Sequence, residues 1–366
     1  MDEFDQVMDR PRKGRGSVSN SSSRYEPQRV RSDDGWGSAY EGETEDSAPP
    51  LPTTVTRDTS RTIIAYNDSP DLGFDRSINP YRGCEHGCIY CYARPSHAWL
   101  GLSPGLDFET RLFAKFDATQ LLDHELRKPG YEPKLIVLGA NTDPYQPVER
   151  QYQITRSVIE VLGAFSHPFT IITKSALVAR DIDLLAPLAA RNLVRVAISI
   201  TSLDRTLARH MEPRAATPPR RLETIQKLTE AGISTTVMTA PMIPGLNDHE
   251  MESILEAAKN VGVHSAAYVL LRLPLEIGQL FEEWLRAHVP DRANRVLNLM
   301  RGVRGGKLYQ SEWGKRFVGD GPYAEILANR FAIARKRLLL NSARQPLDFS
   351  QFLPPIRTGD QMILSL

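Results

Sequence analysis

The feature that most restricts this chain is an alternation. Five short β-rich runs, "KLIVLGA" (134–140), "FTIITK" (169–174), "VRVAISIT" (194–201), "STTVMTA" (234–240) and "AAYVLLRL" (266–273), are separated by amphipathic stretches. Those stretches are "VERQYQITRSVIEVLGAF", "DIDLLAPLAARN", "PPRRLETIQKLTEAG" and "NDHEMESILEAAKNVG". Near-continuous apolar runs, each followed by a helical pattern, predict a parallel sheet with helices over its outer face. Counting one more strand leading into Cys84, six β/α units fit between about residues 75 and 290. Six units are too few for a closed eight-stranded barrel. The expected architecture is therefore an α/β fold with a partial (β/α)6 TIM-like barrel over residues 61–290, and a doubly wound open sheet is the alternative.

The flanks have a different character. Residues 1–60 are rich in Ser, Asp, Glu, Arg, Gly and Pro and lack apolar periodicity. Such a segment buries too little apolar surface to offset its ordering entropy, which predicts a disordered tail. Residues 291–345 form a basic helical extension, with "RFAIARKRLLL" (330–340) as a helix, and 346–366 a C-terminal tail. From Arg286 to Arg344 thirteen Lys/Arg face four Asp/Glu, a local +9 inside a chain of net charge +1. Hydrophobic residues at 41% and charged residues at 24% fit a soluble globular protein. No apolar run reaches the ~20 residues of a bilayer span, and no membrane partner is expected. The opening "MDEFDQVMDRPRKGRGS" lacks the apolar core of a secretory signal. With clustered thiols, this favours the cytoplasm.

The whole cysteine supply, Cys84, Cys88 and Cys91, lies in "NPYRGCEHGCIYCYARP" (79–95). Three is odd for disulfides and one short of a closed tetrahedral site. A [4Fe–4S] cubane normally takes four thiolates, so three leave one iron open, as catalytic metal sites keep a vacant position. A Cys3His zinc site using His86 or His97 is the competing reading, and would make the chain a zinc-stabilised binding module without redox chemistry.

"CEHGCIYC", with an aromatic directly before the last cysteine, resembles the signature of the radical S-adenosylmethionine superfamily. The flanks "NPYRGC" and "CYARPSH" resemble, more narrowly, its branch related to spore photoproduct lyase. The likeness extends over roughly residues 60–340. It implies that Cys84, Cys88 and Cys91 bind a [4Fe–4S] cluster whose open iron takes S-adenosylmethionine. One-electron cleavage then yields a 5′-deoxyadenosyl radical, which abstracts hydrogen from a substrate. An electron donor such as a flavodoxin or ferredoxin is implied, and nucleic acid is one candidate substrate class.

The same likeness assigns residues at the C-terminal ends of the strands, where barrel active sites lie. Asn141, Thr142 and Asp143 in "GANTDPYQPVE" stand where the superfamily has a Gly-Gly-Glu-like turn that holds the cofactor's amino group. Plain turn chemistry is their structural alternative. Lys174 is placed to pair with the cofactor carboxylate, unless its stem packs and its ammonium snorkels to solvent. Ser199 and Thr201 share a strand face and suit ribose oxygens. Ile243 and Gly245 in "APMIPGLND" resemble the adenine contact, with Tyr90 near the same ring. Asn247 or Asp248 is expected to N-cap the following helix. Spore photoproduct lyase returns hydrogen through a further cysteine that this chain lacks, so thymine-dimer repair does not carry over. Tyr92 and Tyr145 are the candidates for a radical relay. Finally, "YQSEWGKRF" (309–317) allows two readings: aromatics that stack on bases among cations, or Tyr309, Trp313 and Phe317 as the i, i+4, i+8 core face of a helix.

Overall fold

The computed structural model describes residues 11–20, 24–25, 52–340 and 345–356. Its strands are β1 (Thr54–Arg57), β2 (Ile64–Tyr66), β3 (Arg76–Ile78), β4 (Tyr81–Arg82), β5 (Arg111–Ala114), β6 (Ile136–Leu138), β7 (Phe169–Thr173), β8 (Val194–Ser199), β9 (Thr235–Met242) and β10 (Ser265–Leu270). Seven of them form one sheet in the order β2-β3-β6-β7-β8-β9-β10. From β3 to β10 all neighbours are parallel, and β2 adds an antiparallel edge on β3. Six parallel strands appear where six were expected. The sheet does not close on itself among the described residues, so the barrel is partial.

Helices cover the outer face for the reason the pattern gives. In Met251–Asn260 the buried positions Met251, Ile254, Leu255 and Ala258 follow i, i+3, i+4, i+7 spacing. Full burial of each large aliphatic side chain contributes about 1.5–3 kcal/mol. The main core lies between this layer and the strands and includes Val158, Leu162, Ile171, Val196, Ile225 and Leu255. In β7, Phe169, Ile171 and Thr173 are buried while Thr170 and Ile172 are only partly covered. Register pairs Thr170 with Arg195 and Ile172 with Ala197. Those residues share the inner face, and Lys174 and Ser199 continue it at the strand ends.

Several expectations change. The stretch "VERQYQITRSVIEVLGAF" is two helices, Glu149–Tyr152 and Ile154–Ala164, broken at Gln153, whose φ is 50°. The Glu149 carboxylate accepts the amides of Thr155 (3.0 Å) and Arg156 (3.3 Å) and so caps the second helix. Residues 309–317 are irregular chain and turn, so the helix-core reading of Tyr309, Trp313 and Phe317 fails. The disordered tail expected over 1–60 does not hold for residues 11–20, which are packed, or for β1, which pairs with β5 in a small sheet of order β1-β5-β4. The rest of that tail (1–10, 21–23 and 26–51) lies outside the described residues, as do 341–344 and 357–366 of the C-terminal regions. The helix Pro322–Arg337 joins the main core through Leu327, Phe331 and Ala334. Two of its cations are spent on ion pairs, Arg330 with Glu252 at 2.6 Å and Arg337 with Glu256 at 2.5 Å. Among the described residues no helix is long and apolar enough to cross a membrane.

Candidate cluster and cofactor site

The cysteine loop is fixed by its own backbone. The Cys84 amide donates to Phe108 O (2.9 Å) and the Ile89 amide to Met211 O (3.1 Å). Gln146, fully buried, accepts the Glu85 amide at 2.9 Å and donates to Gly83 O at 3.2 Å. Arg94, also fully buried, donates to the carbonyls of Cys88 (2.9 Å), Gly87 (3.2 Å), Pro104 (3.1 Å) and Gly105 (3.0 Å). It pairs with the buried Glu109 carboxylate at 2.5 Å. A buried charge is tolerable when paired and fully hydrogen-bonded in this way.

Cys84 and Cys88 are buried, Cys91 is half-buried, and all three are free thiols. Burial pushes the Cys84 thiol well up, and it pushes Cys88 up to about 12 although Lys174 pulls it down. Cys84 and Cys88 therefore favour the neutral thiol, and metal binding would have to displace their protons. Three soft ligands on one rigid loop suit a cubane with an open corner. Each of the two histidines by the loop has one ring nitrogen engaged. His86 Nδ1 lies 3.3 Å from Asp143, and His97 Nε2 meets Arg111 O at 3.0 Å.

Beside Cys88 lies a buried polar group that sequence reasoning missed. Glu212 accepts the Thr201 hydroxyl at 2.6 Å and the Tyr90 hydroxyl, and it pairs with Arg221. Burial alone would raise this carboxyl, but Arg221 and then Lys174 hold it below the usual carboxylate range. Thr201 is thereby committed. Ser199 is not: among the described residues its hydroxyl has no hydrogen-bond partner, while its carbonyl accepts from Arg221 at 2.9 Å. Lys174 stands over the Tyr90 ring, its Nζ 5.7 Å from the centroid, with no carboxylate at ion-pair distance among the described residues. Although burial lowers it, the neighbouring Cys88 and Glu212 raise the Lys174 pKa overall, so it is a cation.

The other expected residues have more structural employment. Asp143 accepts from the Tyr145 amide (2.9 Å), the Thr173 hydroxyl (2.7 Å), the Lys174 amide (2.8 Å) and His86. Those four donors match the roughly four acceptor sites of a carboxylate. Burial works against the Asp143 charge, but His86 and the other donors hold its pKa down at about 2. The Thr142 hydroxyl donates to Tyr81 O (2.7 Å), while the exposed Asn141 donates its amide to Asn79 (2.9 Å). Ile243 is buried in the same apolar group as Cys88 and Tyr90. Gly245 is required by a φ of 76° and by Leu299, which a Cβ would meet at 2.7 Å, so its small size serves the helix Pro290–Gly302 behind it. Asn247 stands at the N-cap position of the short 3-10 turn Asp248–Glu250 but makes no side-chain capping bond there, and Glu250, not Asn247 or Asp248, precedes the helix Met251–Asn260. Asn247 instead ties Thr201 O (2.7 Å) and the Ile243 amide (2.6 Å) together, lacing β8 to β9. Tyr145 is buried in the main core with its hydroxyl on Asp181 at 3.0 Å, apart from the cysteine group. Tyr92 is 41% exposed, and its hydroxyl reaches Ala140 O at the end of β6.

Residues 11–20 form a strap across the back of this loop. The amides of Gly16 (2.9 Å) and Ser17 (2.8 Å) donate to Glu109, and Arg15 donates to Glu109 O at 2.9 Å. A Cβ on Gly16 would lie 1.7 Å from Gly87 O, so only glycine permits the approach. Arg94 and Glu109 thus hold the cysteine loop and the strap at once. Of these missed residues, Arg221 left a legible sign: with Pro218, Ile225 and Leu228 it occupies the apolar stripe of its helix, where a charge needs a partner. Glu109 left none.

The fold and site together define a class: α/β proteins with a parallel sheet and a three-cysteine loop that leads off its first parallel strand. Residues 78–258 match the family described as "Radical SAM superfamily". An uncharacterized protein of Mycobacterium tuberculosis (strain ATCC 25618 / H37Rv) is 35% identical over 301 residues, covering 80% of this chain and 84% of its own. An uncharacterized protein of Methanocaldococcus jannaschii is 26% identical over 221 residues, 60% of this chain and 79% of its own. Among solved structures, a spore photoproduct lyase mutant superposes with a TM-score of 0.56 at 17% identity, covering 78% of this chain and 79% of that one. A second lyase mutant, with bound AdoMet and dinucleoside spore photoproduct, gives 0.54 at 16% identity and covers 81% and 86%. The chain belongs to the radical SAM superfamily and is an enzyme that uses a [4Fe–4S] cluster and S-adenosylmethionine.

Proposed function

We propose that Cys84, Cys88 and Cys91 hold the cluster and that the inner-face residues around Cys88 seat S-adenosylmethionine for hydrogen abstraction from a substrate. When bound, cluster and cofactor supply a 5′-deoxyadenosyl radical on one-electron reduction by a flavodoxin or ferredoxin. The protein's own work is to orient the cofactor and keep quenchers out. The observation that carries the reading is Lys174: a buried cation at the open end of β7, above Tyr90 and beside Cys88, with no contact ion pair among the described residues. It is placed to take the cofactor carboxylate. The free hydroxyl of Ser199, on the same face, takes a ribose oxygen, and Ile243 packs against adenine. Asp143 and Thr201 act through others, fixing His86 and the Lys174 strand end in one case and Glu212 in the other. Tyr92, at the exposed rim, is better placed than the buried Tyr145 to meet a substrate.

Anaerobic iron–sulfide reconstitution tests this. The wild-type protein should turn brown, lose that colour in air, and release 5′-deoxyadenosine on reduction. Alanine at Cys84, Cys88 or Cys91 should remove both colour and product. A colourless protein with stoichiometric zinc would overturn the reading. A coloured protein without cleavage would reduce it to a cluster-bearing scaffold.

A further inference from the structure

Arg272 follows β10, and its guanidinium lies over two rings. Its Cζ is 4.2 Å from the Tyr92 centroid and 4.7 Å from that of Phe317. Arg316 stacks on Phe317 at 4.8 Å and on Trp313 at 4.2 Å. Five side chains thus form a ladder in which rings and planar cations alternate, from the residue after Cys91 to Trp313, which is 52% exposed. We propose that this ladder is a docking track for single-stranded nucleic acid, with Arg272 taking a backbone phosphate and Trp313 a base. The proposal rests on the function above and names its substrate class.

Three observations carry it. Among the described residues no carboxylate lies at ion-pair distance from Arg272, and beyond its hydrogen bond to the Tyr92 hydroxyl its five-donor guanidinium has N–H groups to offer an oxyanion. Arg316 by contrast is committed, its Nε 2.7 Å from Asp71 Oδ2. Its role is to hold Trp313 and Phe317 in place. The second observation is preorganisation. Buried Arg304 donates to the carbonyls of Lys315 (3.0 Å) and Arg316 (2.9 Å) and to those of Leu270 (3.2 Å) and Leu271 (2.7 Å). The Leu270 amide donates to Phe317 O at 2.8 Å, and the Gly314 amide to Asp71 at 2.8 Å. A buried guanidinium bonded to four carbonyls and one amide hydrogen bond thus clamp an exposed aromatic loop to the end of β10, and the Gly314 amide anchors it to Asp71 as well.

The third observation is repeat chemistry. A single strand presents an anion and a planar ring in every unit, which matches alternating cations and rings. An acidic peptide offers the charge without the rings and would leave Trp313 unused. The track starts beside a cluster ligand, so a strand lying on it reaches the site.

The test is fluorescence anisotropy with a labelled mixed-sequence DNA single strand of about twelve nucleotides, without S-adenosylmethionine or reductant. Binding therefore stands or falls independently of the radical chemistry. We expect affinity that falls as salt rises, a loss of at least tenfold in Trp313→Ala and in Arg272→Gln, and near wild-type affinity in Trp313→Phe, which keeps a ring. Binding no tighter than that of a polyglutamate peptide, or Trp313→Ala unchanged, would overturn the proposal.

Discussion

Ser199 and Thr201 lie two residues apart on one face of β8 and its continuation, yet their hydroxyls have separate fates. Thr201 donates a hydrogen bond to Glu212 at 2.6 Å in a buried network with Tyr90 and Arg221. Ser199 keeps its hydroxyl uncommitted beside Lys174. Ser199→Ala should weaken S-adenosylmethionine binding about two- to tenfold, the worth of one net hydrogen bond of about 0.5–1.5 kcal/mol, with little change in stability. Thr201→Ala should instead lower unfolding free energy by about 1–3 kcal/mol, because a buried carboxylate loses a donor. Calorimetric titration of the cofactor and urea denaturation of both variants separate the two. Alternation of side chains identified this pair, but only the partners show which member is spent. The same holds for Asp143: its position in the turn was legible, and the four donors that saturate it come from three separate stretches of chain.

At the scale of elements, the six parallel strands were readable because apolar runs and amphipathic helices carry their own periodicity. The strap at 11–20 was not, because nothing periodic holds it. Its order comes from Glu109, 92 and 93 residues away from the amides it accepts, and from a glycine whose missing side chain admits Gly87 O. Gly16→Val, or removal of residues 1–20, should therefore loosen the cysteine loop and expose the Glu109–Arg94 pair. The expected result is less iron retained per chain and faster bleaching of the cluster in air, read by iron assay and visible absorbance against the wild type. Unchanged retention would mean that the strap is merely seated there. The 309–317 segment is the converse case. Its aromatics have helical spacing, but Gly314 at φ 78° and the bonds from Arg304 draw the chain into turns that stack rings on cations instead.

For the molecule as a whole, acid stability follows from two fully buried histidines. Burial lowers both His97 and His167 from the ordinary 6.5 to about 4. His167 is held neutral between Tyr131 (2.8 Å) and Pro168 O (2.9 Å). Between those values the unfolded chain binds more protons than the folded one, so stability is full above about pH 6.5 and falls toward pH 4. Each histidine contributes at most about 1.4 kcal/mol per pH unit in that window. Asp143, held near 2 against burial by His86 and other donors, adds its loss only below about pH 4. Urea denaturation of cluster-free protein across this range should show the decline, and His167→Gln should flatten it.

By itself the sequence determined the parallel α/β class, the number of barrel strands and the three thiols, because periodicity and ligand spacing are local properties of a chain. Tertiary structure alone decided which hydroxyl stays free, what seals the back of the cysteine loop and which cations remain unpaired. Those depend on burial and on partners far apart in the chain, and no local pattern encodes such distances.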